Sequence, residues 1–71
     1  MFTIRFIKHG GRGQTSYCCT KYDTEYRDGI LEVVMILKDG NEYFEQIGPS
    51  EPYDIAYVTN EAGRTIDKLV L

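Results

Sequence analysis

Turn-forming residues recur along this chain at short intervals, and the segments between them have the composition of β-strands. The turn signals are His9–Gly13, Asp28-Gly29, Asp39-Gly40, Gly48–Pro52 and Asn60–Gly63. Between them Val, Ile, Thr, Tyr and Phe are frequent, and apolar residues often alternate with polar ones, which is typical of half-buried strands. Short strands at such a spacing predict an all-β sandwich or barrel.

The runs between these turns predict six strands in one domain, residues 1–71. The strands are expected over residues 2–8, 14–26, 30–38, 41–47, 53–59 and 64–70. We expect five or six antiparallel strands in meander order, forming a small half-open barrel (SH3-like or OB-like) or a strongly bent sheet. A short helix after Ser50 stays open as an alternative because Ser can cap a helix, although the β-branched and aromatic residues of 53–59 disfavour it.

The pair Asp39-Gly40 is the clearest turn signal, because Asp-Gly between two β runs favours a two-residue type I′ hairpin. A two-residue loop would place Ile36 opposite Tyr43 and Met35 opposite Phe44. From this register and the alternation within the strands we predict a core. Its expected members are Phe2 or Ile4, Leu31, Val33, Met35, Leu37, Phe44 and Val58.

The two cysteines, Cys18 and Cys19, are adjacent, so in a strand their side chains point to opposite faces. We therefore expect no disulfide between them, one buried thiol and one exposed thiol. Free cysteines favour a reducing compartment, and we expect a cytoplasmic protein. Two cysteines and His9 fall short of a structural zinc site, and we expect neither metal nor cofactor. The longest apolar run, Val33–Leu37, is too short to span a membrane.

The net charge of −3 conceals an asymmetry along the chain. Residues 1–22 carry four basic side chains and no acid, which gives +4, and the remaining residues carry four bases and all eleven acids, which gives −7. The four N-terminal bases are Arg5, Lys8, Arg12 and Lys21. A charged partner responds to such local fields more than to the total charge.

No arrangement of residues in the sequence indicates catalysis. The only histidine, His9, lies in a glycine-rich loop with no acid close to it in the sequence, and no nucleophile has an adjacent base and orienting group. The Gly10–Gly13 segment also lacks the spacing of a phosphate-binding fingerprint. We therefore expect a protein that is not an enzyme.

Two groups of residues are candidates for partner binding. Lys8, His9 and Arg12 form a basic segment in the glycine-rich loop, which is expected to be either a mobile hairpin tip or a finger that orders on a polyanion or an acidic protein. Six tyrosines exceed what so small a core can hold, so some rings must be exposed. Tyr26 and Tyr43 are the tyrosines we select as contacts, because exposed tyrosines suit protein interfaces and base stacking.

The stretch Ala56–Asp67 resembles the ending of small uncharacterised bacteriophage accessory proteins, and the tyrosine-rich segment Tyr17–Tyr26 is similar to theirs in composition. The resemblance implies a phage origin and an accessory factor that binds host machinery, such as a nuclease inhibitor or an anti-CRISPR protein. It carries no residue-level motif.

Together these features predict a non-enzymatic protein-interaction module, an accessory or inhibitor protein that binds a host or phage protein. Nucleic-acid mimicry by its carboxylates is one form this binding would take. The alternative is a small nucleic-acid-binding β-barrel that uses the basic N-terminal residues and tyrosines, but a pI near 4.9 disfavours it. An open sheet edge in so small a domain also favours a homodimer.

Overall fold

The structure, a computed structural model that describes residues 1–71, is almost entirely β, with 66% of its residues in strands and no α-helix. The strands are Phe2–Lys8 (β1), Gln14–Arg27 (β2), Ile30–Leu37 (β3), Glu42–Ile47 (β4), Tyr53–Thr59 (β5) and Thr65–Leu69 (β6). A single 3₁₀ turn, His9–Gly11, follows β1. These bounds confirm the all-β prediction, and β5 occupies the segment where a short helix was the alternative.

The six strands form one mixed sheet in the order β1-β2-β3-β4-β5-β6, which is the predicted meander order. Two features differ from a simple antiparallel meander. β1 also pairs with β5, so hydrogen bonding closes into a ring through five strands. β4 and β5 run parallel and share only the pair Ile47–Tyr53. The chain cannot make a tight hairpin between them, because Pro49 and Pro52 interrupt backbone pairing.

The long strand β2 takes part in two pairings and bends between them. Its first half, from Gln14 to Cys19, pairs with β1, and the remainder up to Arg27 pairs with β3. The register with β3 shifts between Cys19 and Lys21, where Thr20 is the extra residue of a β-bulge. A bulge bends and twists a strand, which lets β2 pass from one side of the ring to the other.

The β3–β4 hairpin has a three-residue loop, so the prediction of a two-residue turn at Asp39-Gly40 was wrong. The N–H of Leu37 donates to the carbonyl of Asn41 at 2.8 Å, and Gly40 has φ +90°. The Asp39 carboxylate accepts hydrogen bonds from the backbone and side-chain amides of Asn41 at 3.0 and 2.9 Å. These bonds stabilise the longer loop, because an Asp side chain that binds the backbone two residues on replaces a backbone turn.

The extra loop residue shifts the register by one position and turns β4 over. Met35 now lies opposite Tyr43, and Val34 lies opposite Phe44. Because side chains alternate between faces, Phe44 points away from the core and is 55% exposed. Its predicted place in the core was therefore wrong. The two-residue turn with positive φ at both positions is instead Asp28-Gly29, between β2 and β3.

The core lies inside the ring and contains ten buried residues. They are Ile4, Phe6, Cys19, Val33, Met35, Ile47, Tyr53, Ala56, Val58 and Leu69. Phe2, Leu31 and Leu37 are half-buried and pack against this cluster. Apart from Phe44, the predicted core residues are therefore confirmed as buried or packed on the core. The loop at Asn60–Gly63 also forms as predicted, with Gly63 at φ +80°.

Candidate functional site

The outward-facing side of β2, β3 and β4 forms an ordered grid of side chains. Met35 and Val33 point into the core, so the residues that alternate with them on β3 point outward. The register then aligns three residues across the strands in each of three rows. The rows are Lys21–Ile36–Glu42, Asp23–Val34–Phe44 and Glu25–Glu32–Gln46. We call these nine residues the outer face.

The centre of the outer face is apolar. Val34 and Ile36 are half-buried, and Phe44, directly beside Val34, is 55% exposed. A groove runs along this surface between the β2 side chains and Ile36. Exposed aromatic and branched side chains that lie together on a sheet are typical of protein contact surfaces, whereas single exposed apolar residues are common everywhere.

Carboxylates surround this apolar centre. Asp23, Glu25, Glu32 and Glu42 lie on the outer face, and Lys21 is its only base, so the surface carries a charge of −3. No acid lies within ion-pair distance of Lys21. The arrangement suits a partner that presents basic side chains around an apolar one.

One pair on the outer face works against folding. Glu25 and Glu32 lie directly opposite each other on β2 and β3, and like charges in that position destabilise a sheet. Arg27 lies 3.3 Å from Glu25, and the Gln46 side-chain amide donates to Glu32 at 3.2 Å. These two contacts offset part of the repulsion and hold both carboxylates in place.

On the inner side of the sheet, tyrosines of β2 bind carboxylates of strands that do not pair with β2. The Tyr17 hydroxyl donates to Glu45 of β4, and the Tyr17 ring lies 5.3 Å from that of Tyr43. Burial, followed by the hydrogen bond and the negative charge of Glu45, raises the pKa of Tyr17 above its ordinary value. The Tyr22 hydroxyl donates to Asp67 of β6 at 3.1 Å, and burial and that bond raise the pKa of Tyr22.

The predicted basic segment packs on the Gly48–Pro52 loop. His9 Nε2 donates to the Gly48 carbonyl at 2.9 Å, and the His9 backbone N–H donates to Pro52 at 3.3 Å. No acid lies close to His9 in the sequence, but the structure places Asp54 Oδ2 3.9 Å from His9 Nδ1. Asp54 is distant in sequence, so only the fold brings the two together. Lys8 and Arg12 are exposed on either side of this turn.

The N-terminal bases do not form one continuous patch. Lys8 lies opposite Tyr53 at one end of β1, whereas Lys21 lies two residues beyond the pair Phe2–Cys19 at the other end. The seven residues of β1 span about 20 Å. Arg5, midway along β1, places its guanidinium 5.6 Å from the centre of the Tyr57 ring.

The two tyrosines selected from the sequence are exposed, as expected for some of the six, but they do not lie together. Tyr26 is 66% exposed and pairs with Leu31 near the β2–β3 turn. Tyr43 is 47% exposed and packs on Tyr17. Neither belongs to the outer face, and neither contacts the basic segment through a hydrogen bond or ring contact.

Cys18 is exposed and Cys19 is buried, which confirms that the adjacent thiols point to opposite faces. Burial raises the pKa of the Cys19 thiol. A high pKa keeps a thiol protonated and unreactive, so Cys19 serves as a small core residue.

Sequence reasoning did not identify Phe44, Val34 and Ile36 as a surface. A signal was present, because β3 carries apolar residues on both faces although Val34 and Ile36 share a face with Glu32. The assumed two-residue hairpin concealed it by placing Phe44 inside.

No three His, Cys, Asp or Glu side chains converge on a position where they could hold a metal ion. The structure contains no helix with the length and apolar character needed to cross a bilayer. Comparisons with protein-family models, with curated protein sequences and with solved structures return no match.

Proposed function

We propose that the protein is a non-enzymatic interaction module that binds a protein partner through the outer face of β2, β3 and β4. The observation that carries this proposal is the apolar centre of Val34, Ile36 and Phe44 within a rim of four carboxylates. Apolar centres with polar rims are the common anatomy of protein interfaces. The like-charge pair Glu25–Glu32 adds support, because a binding surface retains charges that the fold alone disfavours.

The chemistry of the outer face defines the partner. An apolar or aromatic side chain would cover Val34 and Phe44, and Lys or Arg side chains around it would meet Asp23, Glu25 and Glu42. A basic groove that normally binds nucleic acid has this character, so mimicry of a nucleic acid by the carboxylates is one form of the proposal. The apolar centre adds contacts that a phosphate backbone lacks.

The sequence resemblance of Ala56–Asp67 to phage accessory proteins guides the choice of partner. We extend the proposal to a phage-encoded inhibitor or accessory protein that acts on a host protein in the bacterial cytoplasm. Binding of nucleic acid by the basic N-terminal residues is the weaker candidate, because Lys8 and Lys21 lie at opposite ends of β1 and Lys21 lies among acids.

The test uses immobilised protein to capture partners from a bacterial lysate, and then measures the affinity of the captured protein by titration calorimetry. Ile36→Ala truncates the apolar centre and Asp23→Lys reverses a charge of the rim. Each should weaken the complex by about thirtyfold, as truncated interface anchors do. Higher salt should weaken it further and mainly slow association.

Matched controls lie on other surfaces. Ile66→Ala removes an exposed apolar side chain of β6, and Glu61→Lys reverses an acid of the β5–β6 loop. Both should bind as the wild type does. The proposal fails if these controls weaken binding as much as the outer-face variants do. It also fails if short DNA or RNA binds at physiological salt and Arg12→Ala abolishes that binding.

A further inference from the structure

Most of β4 has an open backbone edge. On one side, Glu42–Ile47 pairs with β3 along its length. On the other side, only Ile47 pairs, with Tyr53 of β5. The residues of β4 before Ile47 therefore present an unpaired edge, and unpaired edges are templates for a further strand.

The register identifies which backbone groups are free. In an antiparallel pair, alternate residues bond to the partner strand, and the bond from Leu37 to Asn41 fixes that alternation in this hairpin. Tyr43 and Glu45 accordingly bond to β3. The N–H and C=O groups of Glu42 and Phe44, and the N–H of Gln46, point away from β3 toward the open edge.

The side chains show that this edge is uncovered. Glu42, Tyr43 and Phe44 are consecutive and alternate between the two faces of the strand, yet all three are exposed. The outer face of β4 is uncovered there, and on the inner face the Tyr17 ring packs against Tyr43. A strand approaching in the plane of the sheet therefore finds the free backbone groups of β4 accessible.

We propose that two copies of the chain associate by pairing β4 with β4, antiparallel about a two-fold axis through Phe44. In this register Phe44 lies opposite Phe44 of the second copy, Tyr43 opposite Glu45, and Glu42 opposite Gln46. The free N–H and C=O of Phe44 in one copy meet those of Phe44 in the other, and the free N–H of Gln46 meets the free C=O of Glu42. The sequence of β4 is thus self-complementary, and no like charges lie opposite each other.

The other free edge of the sheet, on β6, lacks this complementarity. An antiparallel pairing centred on β6 would place Asp67 opposite Asp67.

Pairing through β4 also joins the two outer faces, since Phe44 lies beside Val34 in each copy. The dimer then presents one row of four apolar side chains with an Asp23 at each end. The pairing is independent of the function proposed above, which the single outer face would support alone.

Disulfide cross-linking tests the register. Residues opposite each other in a hydrogen-bonded antiparallel pair have Cα atoms about 5.5 Å apart, within the range that a disulfide spans. Phe44→Cys, with Cys18→Ser to remove the exposed native thiol, should form a covalent dimer with oxidised glutathione as the oxidant. Ile66→Cys in the same background places a thiol at an exposed position of β6 and should stay monomeric.

Sedimentation of the unmodified protein tests association without a covalent bond. The wild type should be dimeric at micromolar concentration. Phe44→Lys places two positive charges opposite each other and should weaken the dimer at least about tenfold, while Ile66→Lys should leave it intact. Phe44 is exposed, so the substitution spares the core, and circular dichroism confirms the fold. A wild type that is monomeric at all concentrations overturns the proposal, as does equal cross-linking of both cysteine variants.

Discussion

Two tyrosines of β2 connect that strand to parts of the sheet with which it does not pair. Tyr17 donates its hydroxyl to Glu45 of β4, and Tyr22 donates to Asp67 of β6. Each phenol lies over the core, and each carboxylate comes from a strand that has an open edge. The two bonds therefore fasten β4 and β6, the strands least supported by backbone pairing, to the most extensively paired strand.

The raised pKa of Tyr17 predicts how stability depends on alkaline pH. The folded chain holds the Tyr17 proton more tightly than the unfolded chain, in which a tyrosine has a pKa of about 10. The stabilisation is complete below about pH 10 and is lost as the pH rises further toward the folded-state pKa. The free energy of unfolding, measured with urea at pH 7 and pH 11, should fall more in the wild type than in Tyr17→Phe.

At pH 7, Tyr17→Phe should lower the free energy of unfolding by about 1 kcal/mol, because Glu45 loses a hydrogen bond in a half-buried site. Tyr26→Phe removes an exposed hydroxyl and should unfold at pH 7 as the wild type does. If the free energy of unfolding of Tyr17→Phe falls between pH 7 and pH 11 as much as that of the wild type, the phenol of Tyr17 does not cause the fall.

Strand β3 is the element on which both surfaces of the sheet depend. One face supplies Val33 and Met35 to the core, and the other supplies Val34 and Ile36 to the outer face. It pairs along its length with β2 and β4, so both of its backbone edges are occupied. The repulsive pair of Glu32 with Glu25 lies at the end of the same strand.

That pair predicts a conflict between stability and binding. Glu25→Lys replaces a like-charge pair with an opposite-charge pair across β2 and β3, and should stabilise the fold by about 0.5 kcal/mol. The same change removes one carboxylate of the rim and should weaken binding of the captured partner. Thermal unfolding and titration calorimetry measure the two effects. Glu61→Lys is the control for binding alone, because it also breaks the ion pair between Glu61 and the N-terminal ammonium group, 2.9 Å apart. A Glu25→Lys variant that is less stable than the wild type would show that the repulsion is fully relieved by Arg27.

The ring of five strands closes at Gly48, where segments that are distant in sequence meet. Gly48 is buried between β4 and β5, and its N–H donates to the carbonyl of Tyr53 at 3.1 Å. A Cβ atom built on Gly48 would lie 3.0 Å from the backbone oxygen of Gly29 and 3.6 Å from Leu71 Cδ1. The β2–β3 turn, the parallel β4–β5 contact and the end of the chain are therefore packed around one glycine.

A side chain at this position should strain the ring. Gly48→Ala places a methyl group against the backbone of Gly29, which cannot rotate away as a side chain could, and should destabilise the fold by about 1–3 kcal/mol. Ser50→Ala lies in the same loop at an exposed position and should change the stability by less than about 0.5 kcal/mol. Urea unfolding of the two variants measures the difference, and equal stability would show that the turn at Gly29 is free to move.

The sequence by itself determined the local features of the fold. Strand positions, the opposite faces of Cys18 and Cys19, the inward residues of β3 and the turn at Gly63 follow from alternation and turn chemistry within a few residues. The exposed tyrosines followed from their number and the size of the core. These features depend on residues that are neighbours in sequence, so the sequence alone is sufficient to predict them.

Only the tertiary structure decided where β4 faces and which residues form the surface. Asp39-Gly40 is compatible with a two-residue loop and with a three-residue loop, and the hydrogen bonds from Asn41 to the Asp39 carboxylate favour the longer one. The additional loop residue shifts the register and moves Phe44 from the predicted core to the outer face. The bonds from Tyr17 and Tyr22 join residues 28 and 45 positions apart. Such contacts depend on how the whole sheet curls and closes, because alternation assigns a side chain to a face without determining which strand lies across from it.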